Sequence, residues 1–283
     1  VVAAGRAGFT LVEAIVALAL SSVLVVLVGT TFLVQNQYYA LQVERAAAHD
    51  NARMVTELIA SELRSTMLGG VKTAGNKELV IRSPVALAVV CATQLGHKAA
   101  VHIEGGDTLM DTDEITGVAL RDSTTTGWSY KDDDWSKFHL AGGTPAVACH
   151  ANGADTVGAR DEFHDIMKLN SYFSGGDPPP GSVLMFYREV EYEFKTSELD
   201  PATLGLFRKI AGGTAVEFAT GMDSDAQFKY RTGGSTYANS VSGANVANID
   251  AIRIEAQARR APQTGGVDDV TYGWGVNVVL RNR

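Results

Sequence analysis

Residues 8–34 read GFTLVEAIVALALSSVLVVLVGTTFLV, and Glu13 is the only charge among them. From Ala14 to Val34 run 21 residues without a charge. As a helix, a segment of that length crosses a hydrocarbon core of about 30 Å. A lone carboxylate at the start of such a segment is costly, so it needs a partner or a task. Arg6 precedes the apolar run. A positive flank keeps the N-terminus in the cytoplasm and sends the rest of the chain outward. A secretory signal has a shorter apolar core, of about 7–15 residues, followed by a small-x-small cleavage site. Here the exit reads Gln35-Asn36-Gln37-Tyr38-Tyr39, and the two tyrosines suit the far membrane interface. The other readings are an ordinary single-span anchor and, more remotely, a cleaved conventional signal.

Helical character continues past the apolar run. Gln35 to Met67 contains neither Pro nor Gly and is rich in Ala, Leu, Glu, Arg and Met, all good helix formers. Leu41, Ala48, Val55 and Leu58 or Ile59 form an apolar face, and Glu62, Leu63 and Met67 extend the segment. The spacings Glu44–Ala48, Glu57–Ser61 and Glu62–Thr66 offer no salt bridge. The face is therefore expected to gain its stability by packing on something. Gly69-Gly70 is expected to stop the helix. Phe9 to Leu68 is 60 residues, or about 90 Å at 1.5 Å per residue. Gly29 reads as either a local bend or a small contact residue.

Beyond Gly70 the pattern turns to short strands. Glu78–Arg82, Val85–Cys91, Ala99–Ile103 and Ser182–Phe194 are candidates. The second half of Ser182–Phe194 alternates apolar and charged residues, as a half-buried strand does. Leu206–Ile210 reads as its hairpin return, with Pro201 in the connection, and Ile249–Ala256 and Gly275–Leu280 as late strands. The expected fold class is α+β, with a long N-terminal helix packed on a mainly antiparallel β-sheet and large loop insertions. Asp107–Asp113, Thr124–Asp134, Gly142–Gly158 and Ser174–Gly181 read as loops, and Gly233–Asn248 as a small-residue segment with mobility.

Gly8-Phe9-Thr10-Leu11-Val12-Glu13, abutting an apolar helix, resembles the processing motif of type IV prepilins and pseudopilins. The resemblance implies that a prepilin peptidase cuts between Gly8 and Phe9. Phe9 then becomes the methylated N-terminus and Glu13 the fifth mature residue. It further implies that the amino terminus of a neighbouring subunit pairs with Glu13, so Phe9 and Glu13 are the expected assembly residues. Physical chemistry agrees. Gly8 offers little bulk to a protease seating an extended backbone, and a buried carboxylate needs a positive partner. Asn51-Ala52-Arg53, Glu57-Leu58, Glu62-Leu63-Arg64 and the ending Val278–Arg283 resemble, more loosely, the larger minor pilins and the large-headed minor pseudopilin. The expected organisation is a leader at 1–8, a transmembrane and assembly helix at 9–34, a helical spine at 35–68 and a pilin-like β-rich head at 69–283. The chain begins at Val1, so the leader is expected either to extend upstream or to start at an alternative codon.

Other chemistry finds less support. Cys91 and Cys149 face a compartment expected to be oxidising, and a disulfide between them is the leading reading, with separate buried thiols the alternative. The loop it closes, residues 91–149, makes it worth about 4 kcal/mol in the chain-entropy model. The histidines lack zinc-site spacing, and no cofactor is expected. Calcium is less easily dismissed than zinc, because Asp107, Asp111, Asp113 and Glu114, and then Asp132-Asp133-Asp134, cluster in loops. Their spacing matches no EF-hand, so no ligand is nominated. Gly105-Gly106 and Gly212-Gly213 lack the Lys and Ser/Thr of a phosphate loop and read as hairpin turns. With 24 basic against 32 acidic residues the net charge is −8, which argues against direct nucleic-acid binding. Tyr187, Tyr192 and Tyr230 read as strand residues.

The resemblance therefore implies a structural subunit, not an enzyme. The chain is expected in the bacterial inner membrane, single-pass, with a cytoplasmic N-terminus, a periplasmic head and incorporation into a surface filament. Expected partners are the prepilin peptidase, other major and minor pilins or pseudopilins, and an inner-membrane assembly platform. The leading expectation is a minor pilin in initiation or tip assembly of a type IV pilus. The alternatives are a minor pseudopilin of a type II secretion system and a tip adhesin.

Overall fold

In the computed structural model a 55-residue helix, α1 (Leu11–Ser65), carries the head at its C-terminal end. Residues 10–94, 98–103, 115–121, 127–132, 140–141, 165–168, 178–260 and 270–280 are described. The helix is about 80 Å long at 1.5 Å per residue. It passes through Gly29 without interruption, and nothing lies within 4 Å of the space a side chain there would fill. From Leu11 to Tyr39 every residue is exposed. The other half buries Ala48, Ala52, Val55, Thr56, Ile59, Ala60 and Leu63, a face of helical period. Its small alanines bring the helix close to the sheet. Thr56 is the polar member, and its hydroxyl is satisfied by the carbonyls of Ala52 and Arg53 at 3.0 and 2.9 Å.

The helix ends at Ser65, three residues before the expected Leu68. Thr66 is extended (φ −71°, ψ 129°), and its amide bonds the Leu63 carbonyl at 3.1 Å. The Thr66 hydroxyl donates to the Glu62 carbonyl at 3.2 Å. Gly69 and Gly70 form the corner after the helix. Gly69 has φ +79°, and a Cβ on Gly70 would lie 2.7 Å from the Thr66 methyl and 2.8 Å from the Met67 carbonyl. The spine also carries an i,i+4 pair that the expected spacings overlooked, Arg53 Nε to Glu57 Oε1 at 2.7 Å. Both groups are more than half exposed, so the pair contributes little.

Among the described residues the head is one antiparallel sheet of thirteen strands: β1 (Val71–Ala74), β2 (Glu78–Gln94), β3 (Lys98–Ile103), β4 (Gly117–Arg121), β5 (Trp128–Lys131), β6 (Leu140–Ala141), β7 (Asp165–Lys168), β8 (Val183–Thr196), β9 (Leu204–Ile210), β10 (Val216–Met222), β11 (Gln227–Arg231), β12 (Ala251–Arg260) and β13 (Val270–Val279). This is the expected α+β arrangement. The strands expected at Glu78–Arg82 and Val85–Cys91 are one strand, β2, with a register shift between Pro84 and Ala86 that accommodates the proline. β2 and β8 pair over most of their length, from Glu78↔Glu193 to Val89↔Val183. At one end they are flanked by β1 and β9, and at the other by β3 and β4. The expected alternation in β8 is present: Val190, Tyr192 and Phe194 are buried, and Glu191 and Glu193 are half-buried.

The sheet curls until it nearly closes. Ala238 bridges Tyr230, and Val241 bridges Ala74, so one short segment spans the gap between β11 and β1. The Tyr230 hydroxyl donates across the same gap to the carbonyls of Gly75 and Glu78 at 2.7 and 3.2 Å. Residues 233–248, read from sequence as mobile, thus include two bridges and a 3-10 turn at Gly243–Asn248. The stretch expected as a loop at Thr124–Asp134 contains β5, paired with β4 from Val118↔Lys131 to Arg121↔Trp128. The turn between β9 and β10 falls on Ala211-Gly212, both with positive φ, one residue before the expected Gly212-Gly213. The expected loops at 107–113 and 142–158 lie outside the described residues.

One core lies between α1 and the sheet. It joins Val55, Ile59 and Leu63 to Leu79, Ile81, Tyr192, Leu206, Phe228, Ile252, Ile254 and Val278. A second, smaller cluster packs Ala119, Met185 and Tyr187 with Met67, Trp128 and Tyr130, just beyond the helix end.

Candidate assembly helix and its attachment to the head

The site is built on the exposed half of α1. Thr10 caps it. The Thr10 amide and hydroxyl both donate to Glu13 Oε2 at 3.0 Å, and the Glu13 amide returns a bond to the Thr10 hydroxyl at 3.3 Å. This is a reciprocal capping box. It gives the single carboxylate two hydrogen bonds within its own subunit and places it next to the positive end of the helix dipole. The hydroxyls of Ser22, Thr30 and Thr31 donate back to helix carbonyls, Ala19 at 2.7 Å and Leu27 at 3.0 and 2.8 Å. Such bonds let hydroxyls sit in hydrocarbon at little cost. What remains on the surface is apolar: Ile15, Leu18, Leu24, Val28 and Phe32 are each more than half exposed. The helix is long and apolar enough to cross a membrane.

At the other end, three sets of contacts fix the helix to the sheet. His49 packs edge-on against Tyr272 and Trp274 of β13, with ring centroids 4.8 and 5.4 Å apart. Glu62 Oε1 accepts from Arg208 Nη2 of β9 at 2.5 Å. Burial works against the Arg208 charge, but neighbouring Tyr192 and Glu62 outweigh it and hold the guanidinium above its ordinary pKa. The third set lies at the corner where the helix ends. Arg82 grips Asp132 through Nε at 2.7 Å and Nη2 at 2.5 Å, and its Nη1 donates to the Gly69 carbonyl at 3.1 Å. The Tyr187 hydroxyl donates to the same carboxylate at 2.7 Å. The Tyr130 ring lies 4.8 Å from the guanidinium, and Lys72 pairs with Glu189. Burial raises the Asp132 pKa, but the bonds from Arg82 and Tyr187 and the charges of Arg82 and Lys72 reverse this and hold it below the ordinary carboxylate value. The forked geometry adds directionality to the pair.

Of the residues nominated from sequence, Glu13 lies in the first turn of the exposed helix. Gly8 and Phe9 lie outside the described residues. Cys91 belongs to β2, while its side chain and Cys149 lie outside them. Asp107, Asp111, Asp113, Glu114, Asp133 and Asp134 also lie outside, and Asp132 is committed to Arg82. Among the described residues, no group of three or more His, Cys, Asp or Glu side chains is placed to hold a metal. Tyr187, Tyr192 and Tyr230 are buried strand residues. Sequence reading missed the Arg82–Asp132 pair, whose members stand 50 positions apart with no motif linking them.

Residues 4–29 match the model for the prokaryotic N-terminal methylation motif. No curated protein and no solved structure matches the chain. The matched segment contains Gly8, Phe9 and Glu13 and runs into the exposed helix. The motif implies processing by a prepilin peptidase and assembly with pilin-family subunits. A methylation motif opening a long apolar helix, whose C-terminal half is laid on an antiparallel sheet, is consistent with a member of the prepilin and pseudopilin family.

Proposed function

We propose that this chain is a minor pilin-like structural subunit, without enzymatic activity, that acts in initiation or tip assembly of a type IV pilus. It sits in the inner membrane with its N-terminus in the cytoplasm and its head in the periplasm. One observation carries this reading. α1 is exposed from Leu11 to Tyr39, and its apolar run to Val34 carries a single carboxylate, while the C-terminal part of the same unbroken helix is locked into the head. Such a helix is stable in lipid and equally suited to packing among other apolar helices. The carboxylate favours the bundle, because a neighbour's amino terminus there satisfies a charge that lipid cannot. The extension of the sheet by β3 to β7 broadens the head, and a broad head suits the end of a thin filament better than its repeating body.

The test is made in the native host. Deleting the gene should reduce surface filaments at least tenfold while the major subunit stays in the membrane. Sheared filaments from complemented cells should contain the chain far below the major subunit. Filaments of normal number and length without the chain would overturn the assignment.

A further inference from the structure

We propose that residues 233–248 form a hinged strap that lifts from the sheet as a unit while the head beneath it stays folded, whatever the helix assembles with. The strap covers the seam between β11 and β1, and little holds it there. Among the described residues three backbone-to-backbone bonds tie it to the sheet. The Tyr230 amide donates to the Ala238 carbonyl and the Ala238 amide returns the bond, both at 2.8 Å, and the Val241 amide donates to the Ala74 carbonyl at 3.0 Å. Tyr237, Val241 and Val246 are half-buried, and every other residue of the strap is exposed. Val241 and Val246 pack against the main core. Tyr237 is the remaining attachment: the guanidinium groups of Arg253 and Arg231 lie 4.5 and 5.9 Å from its ring centroid. A segment with so few buried apolar contacts opens at a free energy well below that of global unfolding.

Glycines supply the hinges. Gly233, Gly234 and Gly243 have φ of +80°, +73° and +63°, and a Cβ at any of them would meet nothing within 4 Å. The left-handed backbone, not packing, therefore calls for glycine there. The two ends of the strap are held without its help. β11 and β12 stay paired up to Arg231↔Ala251. Arg231 Nε donates to Asp250 Oδ1 at 3.0 Å, and the Asp250 amide donates to the Arg231 carbonyl at 2.9 Å. Close ends beneath a surface segment make this an Ω-loop. The seam below has fastenings of its own. The Phe228 amide donates to the Asn76 carbonyl at 2.8 Å, and the Tyr230 hydroxyl to the carbonyls of Gly75 and Glu78. Lys77 Nζ donates to the carbonyls of Ser224 and Ala226. Lifting the strap thus bares the Ala74 carbonyl and the backbone of Tyr230 without parting the sheet. The seam has a covered and a bared state, and the strap switches between them.

Amide hydrogen exchange of the full chain in detergent tests this. In urea well below the unfolding midpoint, exchange at Ala238 and Val241 should be nearly independent of urea, because a local opening exposes little surface. Exchange at Ile252 and Ile254 of β12 should rise steeply with urea. Tyr237→Ala should accelerate the strap amides about tenfold, the size of two lost cation–π contacts, and leave the β12 amides unchanged. Val241→Ala, which trims the contact of the strap with the core, is the second variant should Tyr237→Ala not fold. Strap amides that exchange at the rate of β12, with its urea dependence, overturn the proposal. So does a folded variant that accelerates both sets alike, or neither.

Discussion

Arg208 of β9 reaches Glu62 of the spine helix, Nη2 to Oε1 at 2.5 Å, in a site where both side chains are about four-fifths covered. The bond joins the element that assembles to the sheet that it carries. Arg208→Ala leaves the Glu62 carboxylate without that donor, so it should cost about 1–3 kcal/mol. Urea unfolding of the detergent-solubilised protein measures this. The double variant with Glu62→Ala should be less destabilised than the sum of the two single variants. A loss below about 0.5 kcal/mol, the level of an exposed pair, would show that the contact does not fasten the helix.

The corner after the helix should be sensitive to acid. Asp132 is held below the ordinary carboxylate pKa, against its burial, by Arg82, Tyr187 and Lys72. A carboxylate with a depressed folded pKa stabilises the fold above its unfolded value, about 3.9, and loses that contribution as pH falls through the folded value. Amide hydrogen exchange across β4 and β5 should therefore accelerate as pH is lowered below about 4, after correction for intrinsic rates. Asp132→Asn should show the faster exchange already at pH 7 and a flatter response to acid. Identical protection in both proteins at both pH values would contradict this.

The two cysteines should form one bond. Peptide mapping of exported protein without reductant should recover the Cys91 and Cys149 peptides as one species. In the chain-entropy model the bond is worth about 4 kcal/mol, so reduction should lower the unfolding midpoint. Free thiols at both positions in native protein would contradict the pairing and weaken the periplasmic assignment with it.

Processing should fall between Gly8 and Phe9. Intact-mass and N-terminal peptide analysis of protein from the native host should give a mature chain beginning with N-methylated Phe9. Gly8→Val should leave an uncut precursor in the membrane. A mature chain that retains Arg6 would contradict the site.

The sequence revealed those elements whose periodicity survives in isolation. The apolar run and the glycine-free stretch behind it mark one helix, and the alternation from Val190 to Phe194 marks β8. The end of α1 was misread because Thr66, not the glycines, breaks it: its extended backbone and side-chain bond to Glu62 have no signature in the sequence. Pro84 hid the continuity of β2, since a bulge that tolerates proline is set by the neighbouring β8. β10 carries two register shifts against β9, and these erase the alternation that would have announced it. In the assembly helix Glu13 was legible as a lone charge, but its bonds to Thr10 were not read. They were recoverable, because Thr-x-x-Glu before an apolar run is a capping-box pattern. The Arg82–Asp132 pair was not recoverable, because only the folded sheet brings β2 to the end of β5.

The most direct measurement compares Glu13→Ala with the unsubstituted chain, at equal membrane level, in cells that supply its filament partners. Loss of the carboxylate removes a desolvation cost as well as the capping box, so insertion and head folding should persist. Crosslinking from Leu24 to partner helices should drop at least tenfold, and surface filaments should fall with it. Normal crosslinking and normal filament number at wild-type membrane level would contradict the claim that this helix assembles through its single charge.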